Sequence, residues 1–575
     1  FLQITILNKK FMKFSGFPVT LFDIEELKLK FESLFDKFSK AKSFVEEHLI
    51  FLEIINEFKE YNSSEDVAQV RYITNSLNEK FAYDKKHFDS INPSVWSIDK
   101  KFLDLFKASR FLDEYKKIYS YEVISYIIRK ANQFSDDAKD EYAKQKELTN
   151  QYESLLLEPV TFEGEEIPLG KLRYYFNSPE REMRKKSQDE FFDYYSRRAD
   201  KINDIFDELY KVRTSIAKKL GYENYLRLGY NLMNRNFDYT DAQNFRNSII
   251  KYVVPLTARL KEKQRKRIGA ETLEYYDIHF KFKTGNPMPQ CSEDEIVENS
   301  RKMYAELSPE TKEFFEFMIE NELMDLKSRI GKGGGGFSTF FQKYKSPFIF
   351  SNMNGTANDV EILTHEAGHA FQSYLCRDYT LYEEINSSAD ICEVHSMSME
   401  VLTYDYMNLF FKDDTDKFYY YHLDNSLRSI ISAATADEFQ ERIYMTDNVS
   451  RGERNEIWND IKRKYNFEFF KGQKSHEYLE SGNSWHMKSL IVERPFYCLE
   501  YALAQFVALQ FLFLKKENHA AAMKKYIDFC KLGGRYTFSE SLKIAGLENP
   551  FEEETVRTVT EKVEGLLEQI DDSKF

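Results

Sequence analysis

A mainly α-helical fold is predicted by three features of the chain. Proline and glycine are scarce, 12 and 21 of 575 residues, so helix breakers are few. Apolar residues recur at helical spacing through residues 20–157 and again from Pro179 to the C-terminus. The run His365-Glu-Ala-Gly-His369 lies inside one such pattern, with Val360, Leu363, Ala367, Ala370, Phe371 and Tyr374 spaced along the opposite face.

The elements follow in chain order. Residues 1–11 are expected to be an upstream extension, since the family resemblance set out below begins at about Met12 (MKFSGFP). The first residues carry a few apolar side chains but no small-residue cleavage site. Residues 12–195 form an N-terminal helical region rich in Phe, Lys and Glu. Within it, PVTFEGEEIPLGKL has a Gly turn between short β-like runs, which predicts a hairpin near 158–172. Residues 196–575 form the second region. KTGNPMPQ near 282–290 is a loop, and LKEKQRKRIG near 260–269 reads as an exposed helix end. GKGGGG, 331–336, is too flexible for regular structure and lacks the GK[ST] ending of a phosphate loop. It reads as a mobile flap or a plain connector. Ser346-Pro-Phe-Ile-Phe-Ser-Asn352 reads as a strand. Thr356 and Asp359 have capping-box-like spacing ahead of the next helix. Ile391, Val394, Met397, Val401 and Leu402 predict a further amphipathic helix, with Glu393, Met397 and Glu400 along one stripe.

Charge and cysteine usage narrow the class. The net charge of −14 argues against a nucleic-acid surface. The most apolar stretch, 497–514, is interrupted by Glu500, Gln505 and Gln510, which predicts no membrane span. Five cysteines, odd in number and without a CxxC, favour a reducing compartment over a disulfide framework.

The chemistry is carried by HEAGH. Positions i and i+4 share a helix face, so His365 and His369 can reach one ion together. Glu366 then stands beside that ion, where a general base for water belongs. This is the zincin signature, and it points to metal-assisted hydrolysis of peptide bonds. Glu393, 24 residues after His369, can complete a His2Glu set from a separate helix, although a helical Glu is as often a solvated charge. Ala367 and Gly368 are small enough to let a neighbouring backbone approach closely. Cys392 reads as a small hydrophobe rather than a soft ligand.

HEAGHAFQSY followed by DICEVHSMSME resembles the oligoendopeptidase F branch of the thimet oligopeptidase family. So do KLGYENYLRLGYNLMNR, YYDIHFKFKTGNPMPQ, LMDLKSRIGKGGGGF, SPFIFSNMNGT and RPFYCLEYALAQF, in the same order. The resemblance runs from about residue 12 to the end. It implies an elongated zincin-like fold, with a small β-sheet next to the active-site helix, the 346–352 strand at that sheet's edge to pair with the substrate backbone, and a deep substrate channel. It implies one Zn2+ per chain on His365, His369 and Glu393, and short unstructured oligopeptides as substrates of a cytoplasmic endopeptidase. It also implies Tyr497 and Tyr501 near the substrate, where i and i+4 on one helix would aim both hydroxyls at the oxyanion. The alternative for both is a place in the aromatic core. In the family a His stands about five residues before the Pro of the PFY motif. Leu490 takes that place here, and His486 lies one helical turn earlier. Either His486 substitutes from the adjacent turn or the chain lacks that donor. Two other functions fit the residues: a zinc exopeptidase, and a peptide-binding protein of the same fold without catalysis.

Overall fold

The computed structural model describes residues 11–467 and 475–575. The expected extension 1–11 lies, except for Phe11, outside them. The chain is mainly α, as predicted. Five helices, Ile24–Lys40, Phe44–Thr74, Glu79–Lys107, Leu112–Tyr119 and Tyr121–Ala131, pack around their own phenylalanine-rich core. Asp23, Ser43, Asn78 and Ser120 start four of them by accepting backbone N–H bonds in the first turn. A second, larger core is built mostly from Ala138 onward and also takes in Phe17, Val67 and Val70. The hairpin β1 (Val160–Phe162) and β2 (Glu165–Ile167) joins it, turning through Glu163 and Gly164 at φ 52° and 83°. Two consecutive positive φ values match the right-handed twist of the strands, and the second needs no Cβ.

A three-stranded sheet holds β3 (Met324–Lys327), β4 (Phe337–Phe341) and β5 (Ser346–Met353) in the order β3-β5-β4. β3 runs parallel to β5, and β4 antiparallel. The SPFIFSN segment is therefore a strand, but its expected edge position is corrected: β5 is central and β4 is an edge. Its nearly unbroken burial is the mark of a strand covered on both faces. The glycine run between β3 and β4 is pinned at its start. Ser76 N–H donates to Gly331 O at 2.7 Å, and Gly333 N–H to Ile73 O at 2.7 Å. A Cβ on Gly331 or Gly333 would strike Leu77 or Ile73.

Helix Asn358–Leu375 lies against β4 and β5, and helix Ala389–Leu402 packs across it. A 31-residue helix, Thr415–Met445, and the helix Leu499–Glu517 complete the surround. A buried ion network clamps these last two. Arg235 binds Glu500 at 2.7 Å and Asp437 at 2.9 Å; Arg246 binds Asp437 and, at 2.8 Å, Glu441. Charges this deep persist only when paired. No helix among the described residues is long and apolar enough to cross a membrane.

Candidate active site

Helix Asn358–Leu375 carries His365, Glu366 and His369. Its start differs from the expected box. Ala357 sits at the N-cap without a side-chain bond, and the Asp359 carboxylate reaches back to the N–H groups of Asn354 at 2.9 Å and Gly355 at 2.7 Å. The turn is thus capped by the helix, not by Thr356. The six apolar residues of its far face are all buried, as read from the spacing. Gly368 is where the helix of His365 and His369 touches the helix of Glu393: an added Cβ would lie 2.6 Å from His395 O and from Ser396 Cα. That contact brings Glu393 to the histidines.

His365 Nε2 lies 3.3 Å and His369 Nε2 3.7 Å from Glu393 Oε2. One ligand atom from each residue fits within 4.8 Å of the others. Tetrahedral bonds of about 2.0–2.1 Å would set neighbouring donors about 3.3 Å apart, so the set has the span of a zinc site. The electrostatics hold a carboxylate between the two imidazoles. Burial lowers the His369 pKa to about 4, so that ring is neutral and free to ligate. At His365 burial also opposes charge, but Glu393 and Glu400 outweigh it and hold the pKa well above its ordinary value. Burial works against charge at Glu393 too, yet His365, His369 and Tyr497 keep its pKa at about 2.

Behind these three residues lies a relay of hydrogen bonds. Glu400 Oε1 is 2.6 Å from His365 Nδ1, and its Oε2 is 2.8 Å from His422 Nε2. His422 Nδ1 in turn meets Tyr404 OH at 2.5 Å. Binding the rear nitrogen of His365 leaves its Nε2 to face the centre. Cys392 Sγ lies 3.5 Å from the rear Nδ1 of His369, away from the ligand position. Glu366 is 7% exposed. Burial raises its pKa to about 7; His365 and the Ser338 backbone pull it down, while Glu393 and Glu400 add to the rise. Ser338 belongs to β4, so the edge strand runs beside the carboxylate.

Tyr497 and Tyr501 are brought together, with ring centroids 5.5 Å apart, but not by a shared helix. The helix begins at Leu499, and Tyr497 stands in the turn before it. That turn contains Phe496 at φ 70°, a strained conformation for an aromatic residue. Three contacts hold it: Phe496 N–H donates to Gln440 Oε1 at 2.9 Å, Arg235 donates to its carbonyl at 2.6 Å, and the bare Gly229 leaves room for its ring. Tyr497 OH donates to Glu393 Oε1 at 2.9 Å. Burial, then the Glu393 charge, keeps both phenols protonated.

His486 does not join them. Its ring is fully buried against Trp485, in the 3-10 turn Ser484–Met487. Neither ring nitrogen has a partner among the described residues, and burial lowers its pKa to about 3. The expectation that it replaces a donor at Leu490 from the adjacent turn assumed one continuous helix. A separate helix, Ser489–Glu493, follows the 3-10 turn, so helical spacing does not carry across.

Glu400 was visible in the sequence only as a member of the Glu393 stripe. His422, Tyr404 and the strained Phe496 carry no local signal, because their partners come from distant chain.

The profile of peptidase family M3 matches residues 174–561, and that of the peptidase M3 N-terminal domain matches residues 14–134. Oligopeptidase PepF of Bacillus subtilis is 23% identical over 479 residues, covering 79% of this chain and 69% of that protein. An oligoendopeptidase F homolog of Borreliella burgdorferi is 24% identical over 383 residues; the match spans 65% of this chain and 63% of the relative's length. The solved structure of PZ peptidase A with inhibitor 2 superposes with a TM-score of 0.91 at 37% identity, covering 98% of this chain and 100% of that one. A family match over most of the chain, on a fold shared almost end to end, places this protein in the oligoendopeptidase F branch of peptidase family M3.

Proposed function

We propose that the protein is a zinc-dependent endopeptidase acting on short unstructured oligopeptides. The observation that carries this reading is the convergence of His365, His369 and Glu393 from two helices, with Glu366 beside them. Those three residues would hold the ion; Zn2+, when bound, supplies Lewis-acid polarisation and a more acidic water. Glu366 removes a proton from the attacking water and returns it to the leaving amine. Its place near neutrality and beside β4 supports that role. Tyr501, with Tyr497 at its side, donates to the oxygen on which negative charge develops. Tyr497 also steadies Glu393. Glu400 and His422 orient His365. The edge strand β4, rather than β5, pairs with the substrate backbone, which gives affinity with little side-chain selectivity.

A cytoplasmic setting belongs to the same reading and is supported by five cysteines without a bridge. The test is metal analysis of the purified protein with a quenched-fluorescent peptide assay before and after chelation. Stoichiometric zinc and chelator-sensitive cleavage are expected. A sample that takes up no transition metal, or cleaves equally after chelation, overturns the reading. Cleavage of an end-blocked peptide separates an endopeptidase from an exopeptidase. Zinc uptake without cleavage would leave a peptide-binding protein, a role with no use for Glu366.

A further inference from the structure

Helix Phe44–Thr74 of the N-terminal bundle carries two buried stripes. Phe51, Ile54, Tyr61 and Ala68 face the bundle's own core, whereas Val67 and Val70 enter the larger core. Ser63, Val67, Val70 and Thr74 follow i, i+4, i+7 and i+11, so they share one face, turned about half a revolution from the first stripe. One helix thus belongs to both cores. Its second face is apolar in the middle and polar at Ser63 and Thr74, and it lies along β4 and the 3-10 turn Gln342–Tyr344 that follows.

The helix holds β4 at both ends. Past the C-terminal end of the strand, Lys343 N–H donates to Ser63 Oγ at 3.0 Å, and the Lys343 ammonium pairs with Glu60. Ser63 is 1% exposed, so water does not compete for that bond. Ahead of the strand, Gly333 N–H donates to Ile73 O at 2.7 Å, and Arg329 donates to Thr74 O at 2.7 Å. The approach at Gly333 is so close that a Cβ there would lie 2.4 Å from Ile73 Cγ1. From Ser63 to Ile73 the helix rises about 15 Å, and the five residues of β4 extend about 17 Å. The anchors are therefore spaced as the strand's two ends, with helix and strand running in opposite directions. Between them β4 passes the active site. Asn352 of β5 donates to Gly333 O at 2.8 Å and Gly335 O at 3.0 Å, which leads the glycine run to the start of the strand. A Cβ on Gly336 would lie 3.8 Å from Glu366 Oε1, and the Ser338 backbone lies close enough to pull the Glu366 pKa down. Among the described strands β4 pairs with β5 alone, so the sheet holds one of its edges and leaves the other open.

We propose that helix Phe44–Thr74 positions β4 for catalysis: Ser63 and Ile73 fix the two ends of the strand and thereby its distance from Glu366. The proposal rests on the peptidase reading above, in which β4 pairs with the substrate backbone and Glu366 is the base. Ser63 and Ile73 touch neither substrate nor reacting atoms; they act through the strand. The N-terminal bundle then bears on the reaction through an element it does not itself contain. A substrate backbone meets an edge already set beside the base, so little ordering of that edge is left for the moment of reaction.

The experiment compares the parent chain with Ser63→Ala, with Gly333→Ala, and with Gly333→Ala combined with Ile73→Ala, which makes room for the added methyl. kcat and KM are measured on the zinc-loaded proteins with an end-blocked oligopeptide, well below the unfolding temperature. Hydrogen exchange is followed by mass spectrometry on the metal-free proteins, in fragments that separate β4 from β5. Ser63→Ala is expected to lower kcat/KM about fivefold and to speed exchange in β4 by a similar factor, as suits the loss of one buried hydrogen bond. Gly333→Ala is expected to lower kcat/KM about tenfold with zinc content unchanged, and Ile73→Ala to bring it back within about threefold of the parent. Exchange in β5 and in helix Asn358–Leu375 is expected to keep the parent rate, which a general loss of stability would not allow. Exchange in β4 within about twofold of the parent in both single variants overturns the proposal, as does equal acceleration in β5. So does faster exchange with kcat/KM unchanged, or a loss in Gly333→Ala that Ile73→Ala does not relieve. A parent that cleaves no peptide counts against the peptidase reading. The exchange comparison, which needs neither metal nor substrate, then decides by itself whether the helix holds the strand.

Discussion

Removing the Glu400 carboxylate should weaken zinc binding without touching a ligand. Glu400 makes two short contacts, 2.6 Å to His365 and 2.8 Å to His422, and only the first orients a ligand. A hydrogen bond to a charged group contributes about 1.5–3 kcal/mol. Loss of one oriented ligand contact therefore predicts about 10- to 100-fold weaker zinc binding, the range found when such outer partners are removed. Glu400→Ala should give the full effect and also strand His422 in a buried site. Glu400→Gln should give less, since its carbonyl still accepts from His365 while its amide faces His422. Zinc affinity is measured by competition with a chromophoric chelator at fixed pH, and cleavage is measured again under saturating zinc. Recovery of most activity at saturation marks Glu400 as a positioning residue. Affinity within twofold of the parent in Glu400→Ala would refute the relay.

Other substitutions test the remaining parts. Glu366→Gln should retain zinc, by metal analysis, yet lose peptide cleavage; sustained turnover would remove Glu366 as the base. The base works deprotonated, so kcat/KM should fall as pH drops through its pKa. Burial sets that pKa at about 7 against an ordinary 4.5, and a bound cation lowers it, so the acid limb should lie between those values. A limb above that window would contradict the assignment. Tyr501→Phe should cut kcat by about 10²- to 10³-fold with zinc content unchanged, and an unaltered kcat would return Tyr501 to the aromatic core. Gly368→Ala forces a Cβ into the backbone of the neighbouring ligand helix. A loss of about 1–3 kcal/mol in chemical denaturation, with weaker zinc binding, is expected. Gly229→Ala would set a Cβ 2.4 Å from the Phe496 ring and displace the turn that aims Tyr497. Its kcat should drop and recover in part when Phe496 is also shortened to Leu; a parent-like kcat in the single variant would show that the turn does not matter.

The helical class, the HExxH helix with its buried far face, and Glu393 on a second amphipathic helix were legible in the chain, because each rests on spacing within a few turns. The small size of Gly368 was legible too, and its use is the contact with His395 and Ser396. The position of β5 in its sheet was not, since a strand's own pattern does not say which strands pair with it. Nor was the burial of His486, where a 3-10 turn ends the register on which the expectation stood. Local periodicity thus put His365, Glu366 and His369 on one helix, whereas the choice of Glu393 rested on the family resemblance as well as on its helix. Packing between remote segments chose which carboxylate backs His365, which strand edge faces Glu366, and how Tyr497 is turned toward Glu393. Side-chain period is a property of neighbouring residues, whereas a hydrogen bond from Glu400 to His422, or from Arg235 to Glu500, exists only once distant helices have closed on one another.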